Sequence, residues 1–96
     1  MAIIQAKLDV TVLTPEKKVA HLQAEMLIAP ASEGEVGILP AHRSFLTTLG
    51  PGTVECREVA SEVTSGEASA SRRFQITGGF LEVQNDRVVI LAEQIL

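Results

Sequence analysis

Residues 19–29 read VAHLQAEMLIA. Ala20, Leu22, Ala24, Met26 and Ile28 fall on one phase of a two-residue period, and His21, Gln23 and Glu25 fall on the other. Successive side chains of an extended strand point to opposite faces, so this alternation predicts a strand buried on one face and wet on the other. The stretch upstream repeats it: Ala6, Leu8, Val10 and Val12 alternate with Lys7, Asp9 and Thr11. Thr14-Pro15-Glu16-Lys17 between the two suits a turn, with Thr at its first position and Pro at its second. A helix N-terminus would accept the same residues, but no apolar face of helical period follows.

Further strands are expected at 43–49, 53–59, 73–77, 79–84 and 87–92. Gly50-Pro51-Gly52 breaks the chain between the first two. Asn85-Asp86 fits a two-residue hairpin turn, since both residue types tolerate positive φ. Gly78-Gly79 inside an apolar run predicts a bulge or a close backbone approach. The polar stretch SEVTSGEASAS (61–71) reads as a long hairpin loop or a mobile tip. Short strands with turn signals between them predict an all-β domain, either a sandwich or a small barrel. Its core is expected to include Leu8, Val10, Leu22, Met26, Ile28, Ile76, Val83, Val88 and Ile90.

Composition narrows the function classes. A chain of 96 residues fits one domain and buries only somewhat over about 60% of its unfolded surface. Apolar residues make up 46%, enough for one core but with little margin for buried polar chemistry. Three Phe without Trp or Tyr offer no platform for stacking bases. The net charge of −4, with Lys and Arg scattered, offers no patch to neutralise phosphates, so no nucleic-acid partner is expected. No basic amphipathic segment and no apolar run near about 18 residues is present, so no direct membrane insertion is expected. MAIIQAKLDV lacks the regions of a signal peptide, and Cys56 has no second cysteine to pair with. Both features predict a cytoplasmic-type chain.

Residues 32–49, SEGEVGILPAHRSFLTTL, are the place to look for chemistry. No P-loop, GxGxxG or GxSxG pattern occurs. His21 lies on the polar phase of its strand and Cys56 beside Val54 on an apolar one, so neither reads as a metal ligand. Glu33, Glu35, His42 and Ser44 are the raw material for an acid–base or nucleophilic set, but spacing alone does not bring them within reach of one another. No catalytic residue, cofactor or metal is expected. Gly34, Gly37 and Pro40 constrain the backbone around Glu35, so the stretch reads as a loop built to hold a shape. It suits an ordinary sandwich corner, a docking surface or the rim of a ligand pocket.

SEGEVGILPAHRSFLTTLGPG (32–52) resembles the SEGE-x-GI-x-PGH-x-PLLT-x-L-x-PG stretch of the epsilon subunit of F-type ATP synthases, called delta in mitochondria. LDVTVLTPEKKV (8–19) and FQITGGFLEVQNDRVVILAE (74–93) agree with the same family in order and spacing. The resemblance implies a two-sheet antiparallel β-sandwich of about ten short strands. It also implies a non-catalytic central-stalk subunit of a proton-translocating F-type ATP synthase, held at the cytoplasmic face of the inner membrane without a cofactor. Its partners would be the gamma subunit and the polar loops of the c-ring. Ser32, Glu33, Gly34, Glu35 and Gly37 correspond to ring-contact positions, and His42, Thr47 and Thr14 to positions near gamma or the ring. Ala41 departs from the family's usual Gly, and Arg43-Ser44-Phe45 from its small residue, Pro and Leu. Loop 60–72 is longer than in many members. Members commonly continue after LAE into a two-helix domain. With the 96 residues stopping at Leu96, neither the self-inhibition nor the nucleotide site of that domain is expected.

Overall fold

The computed structural model describes residues 7–59 and 71–96, and every regular element in it is a β-strand. Eight strands fall among the described residues: β1 (Leu8–Leu13), β2 (Lys18–Ala31), β3 (Gly34–Ile38), β4 (Phe45–Leu49), β5 (Gly52–Glu58), β6 (Ser71–Ile76), β7 (Gly79–Gln84) and β8 (Arg87–Ala92). The polar stretch 61–71 lies outside the described residues apart from Ser71, which opens β6, and so does Ala6.

The 14-residue β2 ties two layers together. Its first half pairs antiparallel with β1, and its second half pairs with β5 and β3. On its other side β1 pairs with β8, β8 with β7 and β7 with β4, and β4 returns to β2 through Ala31↔Leu49. One layer thus holds the first half of β2 with β1, β8, β7 and β4. The other holds its second half with β3, β5 and β6, completing a β-sandwich. The ladders are antiparallel, as expected of the sandwich, except one: β1 and β8 run parallel. Parallel neighbours need a long crossover, and here the rest of the domain supplies it.

Leu8, Val10, Leu22, Ile76, Val83, Val88 and Ile90 are buried as their alternation predicts. Met26 and Ile28 are not; they are only half-buried, and Leu27 and Ala29 take the core positions at 0% exposure. The cause is a bulge. Ala24 pairs with Glu58 and Met26 with Arg57, so Glu25 is an extra residue on β2. One extra residue exchanges the two faces of everything that follows.

A second correction concerns residues 32–42, which are not one loop. Gly34–Ile38 forms β3 and pairs with β2 from Ala31↔Gly34 to Leu27↔Ile38, burying Ile38. The turns elsewhere follow their residue types. Thr14 and Lys17 exchange backbone hydrogen bonds of 2.9 and 3.3 Å across the Pro15-Glu16 turn. Asn85 and Asp86 have φ of 51° and 63°, as a two-residue hairpin with right-handed strand twist requires. Gly79 is a close approach: a Cβ there would fall 2.0 Å from the Leu91 carbonyl oxygen.

Candidate functional site

The β2–β3 hairpin carries the residues expected to meet the ring. Ser32-Glu33 is its two-residue turn, and Gly34 follows at φ +132°, a conformation side chains disfavour. Glu35 pairs with Pro30 and Gly37 with Ile28, on the phase of β3 opposite to the core-facing Val36 and Ile38. Glu33 and Glu35 are both exposed, which gives the hairpin an acidic end. Its base is fastened to β4 and the chain beyond. Ser32 N–H donates to the Thr48 carbonyl at 3.0 Å, and Gly50 N–H donates to the Pro30 carbonyl at 2.8 Å. The Ser32 and Thr48 hydroxyls lie 2.6 Å apart.

His42 follows a tight turn. His42 N–H donates to the Leu39 carbonyl at 3.1 Å, with Pro40 and Ala41 between them and Ala41 at φ 69°. Pro at the second position and positive φ at the third make this a type II turn, where Gly is the preferred third residue. Ala41 thus holds, with a side chain, the conformation that glycine adopts most readily. Asp86 holds it, its carboxylate accepting from Ala41 N–H at 2.7 Å. Left-handed backbone costs an L-residue roughly 1–2 kcal/mol, while Gly gives some of this back through a freer unfolded chain. Ala41→Gly is accordingly expected to raise stability by about 0.5–1 kcal/mol, read as a higher urea midpoint at unchanged slope. A neutral or lower midpoint would show that this turn is not strained.

Beyond the turn, the His42 ring donates from Nδ1 to the Arg43 carbonyl at 2.8 Å and meets Phe45 edge-on at 5.7 Å. Among the described residues no hydrogen bond joins Glu33, Glu35, His42 and Ser44; His42 and Ser44 border one depression, and neither Glu33 nor Glu35 lines it. Thr14 Oγ1 donates to the Lys17 carbonyl at 3.4 Å. Thr14 borders a cleft of about 560 Å³ formed with Val19, Thr77 and Ile95, which draws nothing from 32–42. Beside His42 there is only an open depression of about 480 Å³. Cys56 is a packed core thiol: burial pushes it from 9.0 up to about 12, leaving it protonated and inert near neutrality.

Thr47 sits differently from what a docking residue requires. It pairs with buried Leu81, so it shares the core-facing phase of β4 with Phe45 and Leu49. The outward phase belongs to Leu46 and Thr48, neither a site residue expected from the sequence apart from their place in the LTT run. Cross-strand partners share a face, and Thr48, Phe80, Leu91 and Leu13 line up across β4, β7, β8 and β1. Leu46, Glu82 and Val89 form the adjoining row. Leu46 is 69% exposed and Phe80 52%, so the layer presents an apolar outer face. The available sequence signal was apolar residues on both phases of GFLEV and RVVILA, where a wet face would leave only one.

The family model for the ATP synthase delta/epsilon chain β-sandwich domain matches residues 7–96. The chain is 38% identical over 88 residues to the ATP synthase epsilon chain of Moorella thermoacetica, covering 92% of this chain and 60% of that one. It is 40% identical over 88 residues to that of Brevibacillus brevis, covering 92% and 61%. It thus spans about three-fifths of the curated relatives' length. Among solved structures, a chain of the Euglena gracilis mitochondrial ATP synthase OSCP/F1/c-ring assembly superposes with a TM-score of 0.78 at 22% identity. The match covers 99% of this chain and 56% of that one, and at such identity it bears on the fold. The family match over residues 7–96, with the identity to these relatives, shows that the chain belongs to the β-sandwich domain family of ATP synthase delta/epsilon chains.

Proposed function

We propose that this chain is a non-catalytic central-stalk component of a proton-translocating F-type ATP synthase, docking on gamma and standing on the c-ring. The observation that carries the assignment is the pair of dissimilar surfaces on one rigid sandwich. The apolar outer face around Leu46, Phe80 and Leu91 suits a permanent protein partner, here gamma. The acidic β2–β3 hairpin, with Glu33 and Glu35 exposed, suits the polar loops of the ring. His42 stands at the entry to β4, at the end of that strand away from the hairpin and beside the β7–β8 turn, and is the candidate for a contact at that edge. Thr14 and Thr47 are secondary candidates for gamma contact, Thr47 through its backbone because its side chain faces the core. The complex sits at the cytoplasmic face of the inner membrane. No helix of the described residues is long and apolar enough to cross it.

The two surfaces separate by mutation. Leu46→Asp and Phe80→Asp are expected to weaken capture by immobilised gamma at least about thirtyfold, since an apolar anchor becomes a buried unpaired charge. Glu35→Ala and His42→Ala are expected to leave capture intact while lowering proton pumping per ATP hydrolysed. The Glu35 effect should shrink as salt rises, because a hydrated rim charge is screened. Undiminished gamma capture by both Asp variants would remove the docking face from the assignment.

A further inference from the structure

We propose that Glu82 is a specificity residue of the apolar outer face, and that the gamma surface docking there supplies a lysine or arginine to meet its carboxylate. The inference rests on the docking assignment above and names the chemistry of that contact. Glu82 lies on β7 with Leu46 beside it across the β4 ladder and Val89 across the β8 ladder. Phe80 comes next on the same phase of β7, in the row of Thr48, Leu91 and Leu13. Glu82 is exposed, and among the described residues neither a hydrogen bond nor an ion pair engages its carboxylate. The next row towards the Asn85-Asp86 turn holds two further charges, Asp9 and Arg87, which face each other across the β1–β8 ladder. Asp9 is taken up by the His21 ring at 2.6 Å, and Arg87 forms no ion pair with Glu82. Glu82 and Gln84 make a ridge between two open depressions, of about 550 Å³ on the β8 side and about 330 Å³ on the β4 side. Either has room for the extended stem of a lysine or arginine. A partner that covers Leu46 and Phe80 also takes Glu82 out of water, since Leu46 flanks it across the ladder and Phe80 along the strand. Burying a lone carboxylate is costly unless an opposite charge meets it. A purely apolar surface is therefore refused here, and one carrying a cation at that point is selected. Leu46 and Phe80 supply contact area, and Glu82 decides which apolar surfaces can use it.

Glu82→Gln keeps the shape of the side chain and removes its charge, so the sign of its effect is diagnostic. With a cation on the partner, capture by immobilised gamma is expected to weaken about tenfold or more, while the urea midpoint stays at the wild-type value. The wild type should also lose capture more steeply than Glu82→Gln as salt rises. Arg87→Gln should leave the penalty of Glu82→Gln in place, as expected of independent sites. Unchanged or tighter capture of Glu82→Gln would overturn the inference, because removing an unpaired carboxylate relieves its desolvation. Equal salt dependence of the two proteins would overturn it as well. So would an Arg87→Gln background in which Glu82→Gln has no effect, since Arg87 would then be the neutralising charge. The docking assignment fails separately, through undiminished capture of both Leu46→Asp and Phe80→Asp. Loss of capture in those two variants beside unaltered capture of Glu82→Gln would refute the partner cation alone.

Discussion

Replacing Gly79 by alanine is expected to unfold the domain or lower its stability by more than about 4 kcal/mol, the range reserved for core and backbone failures. Gly79 opens β7 between two ladders, facing Leu49 of β4 and Ala92 of β8. Its φ of 151° lies where only glycine is comfortable. A Cβ would fall 2.0 Å from the Leu91 carbonyl oxygen and 3.0 Å from the Ala92 Cα. These are backbone atoms held by hydrogen bonds, so relief means parting β7 from β8. Gly78 provides the control. Its φ of 155° is just as unusual, but the nearest obstacle is the Glu93 carboxylate at 3.1 Å, the far end of a flexible side chain. Gly78→Ala should then cost only the conformational strain, roughly 1–3 kcal/mol. Thermal unfolding decides it: for a domain of this size about 4 kcal/mol lowers the midpoint by some 16 °C or more. A Gly79→Ala protein melting within a few degrees of wild type would refute the close approach.

The second large effect tests the bulge. Leu27 is fully buried between Ile38 and Cys56, its partners across the β3 and β5 ladders. Leu27→Ala removes that packing and leaves a cavity, for an expected loss of about 2–5 kcal/mol. Met26 stands on the outer phase, half-buried, near Gly37. Met26→Ala should cost less than about half as much, because water already reaches the site. Urea titrations of the two variants compare them directly. Equal losses would mean that the strand keeps one phase throughout and that Glu25 is not an extra residue.

That bulge also marks where the sequence stops being legible. Up to Ala24 the two phases of β2 differ in polarity, so the inward face can be read off. From Met26 to Ala29 both phases are apolar, MLIA, and periodicity has nothing to distinguish. β3 was hidden for a related reason. Its glycines and exposed Glu35 look like loop chemistry, yet Val36 and Ile38 alternate with them at strand spacing. Turns were the most readable parts, because Asn85-Asp86, Thr14-Pro15 and Gly78-Gly79 each require a particular backbone that few residues permit. The acidic hairpin was legible as a motif. The apolar outer face was not, since it is assembled from β4, β7, β8 and β1, and only the ladder register puts Leu46, Phe80 and Leu91 side by side.

The parallel ladder between β1 and β8 sets the order in which the domain can be completed. β1 and β2 can meet as soon as both have left the ribosome, since only a short turn separates them. The other edge of β1 has to wait for β8, nearly the whole chain later. Until then Asp9–Leu13 offers open amides and carbonyls along one side, the template on which strands of other chains can add. Contacts between such distant segments carry a large loop-closure cost and form slowly. Arrival of the last strand therefore does two things at once: it seals the exposed edge, and by joining β7 to β1 it assembles the outer apolar face. On a nascent chain the outer apolar face is complete only once the vulnerable edge is gone.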